Sequence, residues 1–286
     1  MPRLLAVGHV TWDRRPEGDV LGGTVTFAAH TVRKLGWDVA ILTAAGPEFD
    51  AARDLPGVPV FRTFCAATTR FRNDYEPGGT RRQVLMARAD DISLSPLPEE
   101  WRNPDALLLG PVAGELREFP VSAFDAGCVG AVAQGWLRAI DAMGNVSPQE
   151  WTKPARDLAG VHVLFLSQHD LPGGAGRAKE FLEQVPIVAL TRGWQGVTLL
   201  ARHGSEEVPA YPRPEVDPTG AGDVFAAAFL ARYHESSDPS DAAVFAACAA
   251  SCAVEGVGAS SLGDRAEVEK RIALRERLLE EGEWDE

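Results

Sequence analysis

Short apolar runs separated by helix signals recur along the chain, and this alternation constrains the fold more than any other feature. Leu4 to Gly8 reads as a buried first strand, Thr26 to Leu35 as a helix after the Gly22-Gly23 turn, and Val39 to Thr43 as a second strand ending near Ala45-Gly46. Ala106 to Leu109, Gly127 to Val132, Val163 to Ser167 and Ile187 to Thr191 repeat the theme. Strands alternating with helices predict a mostly parallel sheet covered on both faces. One segment departs from the pattern. Thr69 to Tyr75 and Thr80 to Met86 flank Glu76-Pro77-Gly78-Gly79, a hairpin signal whose mixed Arg, Phe, Tyr and Val content suits a small projecting sheet. From Asp264 onward the chain reads as a charged amphipathic helix with Val268, Ile272, Leu274 and Leu278 or Leu279 as its apolar stripe.

The 286 residues are 45% hydrophobic and 24% charged, enough to bury a sizeable core. A formal charge of −13 opposes a generic grip on nucleic acid, so no nucleic-acid partner is expected. The most apolar stretch, Ala242 to Val254, is too short for a membrane span and is broken by Ser251. Met1 to Arg3 leads straight into a strand-like run without signal-peptide regions, which makes the cytoplasm the expected location. The cysteines at 65, 128, 248 and 252 form no CxxC pair, and no histidine lies near Cys248 and Cys252 to complete a zinc set.

The chain lacks a Gly-Lys pair for a Walker A loop, and no GxGxxG follows the first strand. Its informative stretch is Val216-Asp217-Pro218-Thr219-Gly220-Ala221-Gly222-Asp223-Val224-Phe225, which runs into an apolar helix. Glycines at 220 and 222 let the backbone turn sharply and aim amides at one spot, where a helix N-terminus adds partial positive charge. Asp223 beside such a pocket can take a proton from a hydroxyl. The alternative is a Gly-rich turn whose acid complements the helix dipole.

Asp217 to Phe225 resembles the second signature of the PfkB/ribokinase family of carbohydrate kinases. Gly22-Gly23 resembles that family's N-terminal glycine pair, and Thr191-Arg192-Gly193-Trp194-Gln195-Gly196 its TxGxxG turn. The resemblance implies a ribokinase-like three-layer α/β/α sandwich with a mostly parallel central sheet and a small β lid. The whole of 1–286 is then one domain, the lid coming mainly from about 61–90 and part of 10–24. It implies ATP and Mg2+ as cofactors, Asp223 as catalytic base, and Gly220, Ala221 and Gly222 as the anion hole. Ser167-Gln168-His169-Asp170 stands where the family has NxxE, which implies nucleotide contact at Ser167 and magnesium organisation, through water, at Asp170. Thr191, Gly193, Gly196 and Thr219 fall in the implied nucleotide site, and Gly256 and Gly258 in a wall against adenine.

For the acceptor, Asp13 occupies the place of the family's hydroxyl-binding aspartate, with a solvated loop residue as the alternative. Phe27 replaces the asparagine of GGxxxN. The stretches at Gly22 to Phe27, around Tyr75 and Arg81 to Gln83, at Leu109 to Val112 and at Gln134 to Arg138 are similar to a subgroup that includes myo-inositol kinases. Gly23, Phe27, Gln134 and Arg138 join Asp13 as implied substrate residues, Arg138 having a structural ion pair as its alternative. The expected function is a nucleotide-dependent kinase acting on a hydroxyl of a small polyol, cyclitol or sugar, with a homodimer through the β lid as a further option. A nucleoside kinase, with Phe27 stacking a base, and a catalytically weak binding protein are the rivals.

Overall fold

In the computed structural model, which describes residues 1–16, 18–75, 81–117 and 119–281, the apolar runs become one large sheet. In chain order the elements begin with β1 (Arg3–Val7), β2 (Thr11–Arg15), β3 (Gly18–Gly22), α1 (Thr24–Lys34), β4 (Asp38–Ala45), α2 (Ala51–Asp54), β5 (Val60–Phe64), β6 (Thr69–Tyr75) and β7 (Arg81–Ala87). They continue with β8 (Ala106–Leu109), β9 (Cys128–Val132), β10 (Arg138–Ile140), β11 (Val146–Pro148), α3 (Pro154–Asp157), β12 (Val163–Ser167), α4 (Gly174–Glu180) and β13 (Ile187–Thr191). The remainder is β14 (Val197–Ala201), β15 (Gly204–Val208), α5 (Ala221–Ser236), α6 (Pro239–Ala253) and α7 (Arg265–Glu281).

The large sheet runs β15-β14-β13-β12-β9-β8-β1-β4-β5, parallel from β13 to β5, with β14 and β15 added antiparallel. Its inner strands, such as Ala106–Leu109 and Cys128–Val132, are apolar at successive positions because alternate side chains feed two separate cores. Leu4, Ala6, Ile41, Leu108 and Phe165 pack under α1, α5 and α6. Leu5, Val7, Leu42, Leu107 and Leu164 pack on the other face, under α4 and the aromatic rings of Trp101, Trp136, Trp151 and Phe181. That face carries fewer long helices than the alternation suggested. Three-residue turns and stacked rings, such as Trp136 on Trp151 at 4.9 Å, do the covering.

The small sheet has order β3-β2-β6-β7, with β2 and β6 parallel. Val60–Phe64 pair with β4 in the large sheet, so the small sheet takes up the chain at Thr69 rather than near residue 61. The expected turn at Glu76 to Gly79 lies outside the described residues. Both roots of the β6–β7 hairpin are fastened to His9 at the end of β1. Its Nδ1 meets the Thr69 hydroxyl at 2.7 Å, and its Nε2 meets the Asp90 carbonyl at 2.8 Å. Behind it, the buried Glu115 carboxylate accepts from the amides of His9, Val112 and Ala113 at 2.9, 3.0 and 2.7 Å. The short β10–β11 hairpin, unforeseen in the sequence, joins this region through a bridge between Val84 and Asn145.

Candidate active site

Two helices start against each other at the carboxyl ends of the central strands. Helix α1 begins after Gly23, whose φ of +89° and whose approach to His9, with a hypothetical Cβ only 2.4 Å from that carbonyl oxygen, exclude any other residue. Helix α5 begins after Gly220, at φ +83°. A Cβ there would strike the Phe27 ring at 2.4 Å. Phe27 therefore supports the glycine loop from beneath. It is 3% exposed and belongs to the core, which corrects its expected place in a substrate pocket: a helix directed under α5 turns this position inward.

The loop itself is held by Asp217, whose Oδ1 accepts the Thr219 amide at 2.9 Å and whose Oδ2 accepts from Arg15 of the small sheet at 2.7 Å. Burial acts to raise the Asp217 carboxyl, yet Thr219 and Arg15 outweigh it and hold the group below the usual range. The Ala221 amide is spent on the Pro218 carbonyl at 3.2 Å, so the expected three-amide hole loses that member. Among the described residues the amides of Gly220 and Gly222 have no partner. Gly222 faces open space, with no atom beyond its chain neighbours and the α5 backbone within 4 Å of where its Cβ would stand.

Asp223 lies in the first turn of α5, half-buried, and its Oδ1 accepts from the Thr24 hydroxyl at 2.7 Å. Thr24 fits there because Gly110 leaves room: a Cβ at Gly110 would come within 2.5 Å of the threonine methyl. Burial pushes the Asp223 carboxyl up to about 6, opposed by Thr24 and the Arg138 guanidinium and reinforced by the carboxylates of Asp13 and Asp170. Four residues distant in sequence thus act on one group. Asp13, on β2, is 8% exposed and closes against Gly22. Arg138, at the start of β10, pairs with Asp170 at 3.5 Å. Gln134 stands half-buried in the turn Ala133–Trp136 between β9 and Arg138.

The expected nucleotide residues divide. Ser167 ends β12 and its hydroxyl caps the following turn, accepting the His169 amide at 3.2 Å, which leaves His169 exposed and Asp170 beside Arg138. Gly193, at φ +60°, is exposed and unobstructed. The Thr191 hydroxyl instead donates to the Leu166 carbonyl at 3.1 Å. Gly196 lets the backbone of Val208 pass, with 2.1 Å from its hypothetical Cβ to that carbonyl oxygen. Gly256 is filled in by Ser260 and Ser261, and Gly258 faces Val20 of the small sheet at 3.6 Å. The close approach at Gly256, expected to face adenine, is taken by these serines, whereas Gly258 makes an ordinary contact with Val20. Thr24 and Arg15 were missed as site residues. A hydroxyl directly after the glycine pair was the available signal for the first; none existed for the second.

The chain matches the pfkB family carbohydrate kinases over residues 122–265, half of its length. Inositol 3-kinase of Oryza sativa subsp. japonica is 30% identical over 273 residues, covering 85% of this chain and 65% of that protein. Cytidine kinase of Thermococcus kodakarensis is 27% identical over 260 residues, covering 80% and 88%. Among solved structures, a pyrophosphate-dependent kinase in the ribokinase family complexed with a pyrophosphate analog and myo-inositol superposes with a TM-score of 0.78 at 22% identity, covering 93% of this chain and 99% of that one. Ribokinase of Arabidopsis thaliana, complexed with ribose and ATP, superposes at 0.72 and 21%, covering 95% and 98%. Those two likenesses are of fold: a three-layer α/β/α sandwich around a mostly parallel sheet. With the glycine loop, the carboxylate at the α5 N-terminus and the family match in agreement, the chain belongs to the pfkB family of carbohydrate kinases.

Proposed function

We propose that this phosphotransferase moves a terminal phosphoryl group from ATP to a hydroxyl of a small polyol, a cyclitol such as myo-inositol before a sugar, with Asp223 as general base. The observation that carries the reading is the position of Asp223: first turn of α5, next to the unobstructed Gly222, with one oxygen fixed by Thr24. The other oxygen is then left to receive the acceptor's proton. A carboxyl raised to about 6 is ionised at neutral pH yet more basic than an ordinary aspartate. The amides of Gly220 and Gly222 and the α5 terminus stabilise charge on the transferring group, and Arg138 adds a fixed positive charge nearby. Asp13 accepts hydrogen bonds from acceptor hydroxyls.

A phosphate-bound magnesium supplies charge neutralisation when bound, and needs only one or two protein carboxylates. No group of three or more His, Cys, Asp or Glu side chains suited to a metal occurs among the described residues, and Arg138 already engages Asp170. Asp170 fits such an ion through a water molecule.

Pyrophosphate is the second donor reading, supported by the serines that fill the space over Gly256, where the expected base wall would stand. The nucleoside-acceptor reading loses its stacking ring, since Phe27 is in the core, and keeps the likeness to a cytidine kinase. A coupled phosphorylation screen of myo-inositol, ribose and cytidine, each with ATP and with pyrophosphate, tests the reading. Turnover of myo-inositol above the other acceptors is expected. Phosphorylation of cytidine with no activity on any cyclitol or sugar would overturn the acceptor assignment.

A further inference from the structure

We infer that Arg15 is a positioning residue that couples acceptor binding to donor binding, an inference that rests on reading Asp13 as the acceptor's ligand and the Gly220 loop as the donor's anion pocket. Side chains alternate along β2, so Asp13 and Arg15 share one face of the strand. Asp13 turns toward the carboxylate cluster and acts on Asp223. Two residues on, Arg15 reaches across 202 positions of sequence to donate to Asp217 Oδ2 at 2.7 Å. The pair is partly shielded from water, with side-chain exposures of 24% and 8%. Charge-assisted hydrogen bonds of this kind fix geometry as well as contribute energy.

Asp217 is the residue whose other oxygen sets the turn into the glycine loop, through the Thr219 amide. Its own amide and that of Val216 donate to the Val254 carbonyl at 3.2 and 2.7 Å, tying the loop to the segment that leads to Gly258. The hairpin touches that segment too. Val20 stands opposite Asp13 in the β2–β3 register, and its Cγ1 is 3.6 Å from the hypothetical Cβ of Gly258. One two-stranded ribbon therefore carries the acceptor's carboxylate and bears on both donor-side loops. An acceptor that engages Asp13 fixes the ribbon, and the ribbon fixes the loop through Arg15. By linkage, a donor that orders the loop must in return favour the acceptor.

The test is calorimetry on the whole enzyme with two donor analogues, β,γ-methylene ATP and methylenediphosphonate, each with and without saturating myo-inositol, or ribose or cytidine if wild type turns that over instead. In wild type the acceptor should tighten whichever analogue binds by about tenfold, within the range typical of coupled sites. Arg15→Gln should bring that factor close to one, the factor being the ratio of donor affinities with and without acceptor in the same variant, and Arg15→Lys, which keeps the charge, should restore part of it. In an Asp217→Asn background, Arg15→Gln should reduce the factor no further, as expected where the coupling runs through the Arg15–Asp217 pair. A wild-type factor near one, an undiminished factor in Arg15→Gln, or a second equal loss in the double variant would each overturn the coupling. Should Arg15→Gln fail to fold, a full wild-type factor in Asp217→Asn would overturn it equally. Failure of the functional reading is separate: it appears as absence of wild-type turnover with every donor and acceptor.

Discussion

Replacing Thr24 by valine should move the pH dependence of catalysis without removing catalysis. Thr24 is 1% exposed, and its hydroxyl donates to Asp223 Oδ1 at 2.7 Å. Valine keeps the methyl packed over Gly110 and deletes only the donor. A hydrogen bond to a charged group is worth about 1.5–3 kcal/mol, and a pKa unit about 1.4 kcal/mol, so the ionised carboxylate loses support worth roughly one unit or more. Thr24 works against the burial that sets this carboxyl at about 6, so its removal displaces the group upward, to about 7. The acid limb of kcat/KM, which reports the free enzyme, should shift by the same amount. At pH 6 the variant then runs about fivefold below wild type, whereas at pH 8.5, where both carboxylates are ionised, the two converge. An acid limb that stays in place, or an equal loss at every pH, would refute the assignment of that limb to Asp223.

Other outcomes follow from the same geometry. Gly222→Val should weaken donor-analogue binding at least tenfold with a nearly unchanged melting temperature, since the added side chain enters open space needed by a phosphate; unaltered affinity would remove Gly222 from the pocket. Asp13→Ala should raise the acceptor KM tenfold or more with little change in the donor KM, read from steady-state kinetics; equal changes in both would point to a structural role. Gly196→Ala should destabilise the fold by about 2–4 kcal/mol in denaturant titrations, because its φ of +93° and the Val208 carbonyl 2.1 Å from the new Cβ both oppose it; a loss under about 0.5 kcal/mol would contradict that close approach.

The central sheet was legible because its inner strands are short, apolar and insulated by turns, and three of them, β8, β12 and β13, run between the expected residues, as does β6 of the small sheet. The edges were harder. Val60–Phe64 reads locally like the lid strands that follow, and only pairing with β4 assigns it to the large sheet. The β10–β11 hairpin has three-residue strands, too short to leave a periodic pattern. At the site, the glycine loop announced itself because backbone freedom and an acidic residue at a helix start are both visible in sequence. What a glycine makes room for is not visible. Gly196 and Gly256 accommodate protein, Gly222 accommodates nothing, and spacing alone gives them equal weight. Phe27 failed for a similar reason, since its inward direction depends on how α1 meets α5. Arg15 and Asp217 illustrate the limit: an ion pair across 202 residues has no local signature.

Whether Asp223 takes the acceptor's proton is decided by the turnover of purified Asp223→Asn at pH 7.5. Asparagine keeps the shape and the approach to Thr24 but cannot accept the proton, so kcat should fall by about two to four orders of magnitude with donor-analogue affinity retained. Folding should not suffer. Burial raises this carboxyl from 3.8 to about 6, so the ionised group costs the folded state stability as pH rises from about 4 to about 6, and its removal should raise stability at pH 7.5 by about 1–3 kcal/mol. A stable, donor-binding variant with turnover two or more orders of magnitude below wild type is the predicted result; near wild-type turnover in the same preparation would contradict the mechanism.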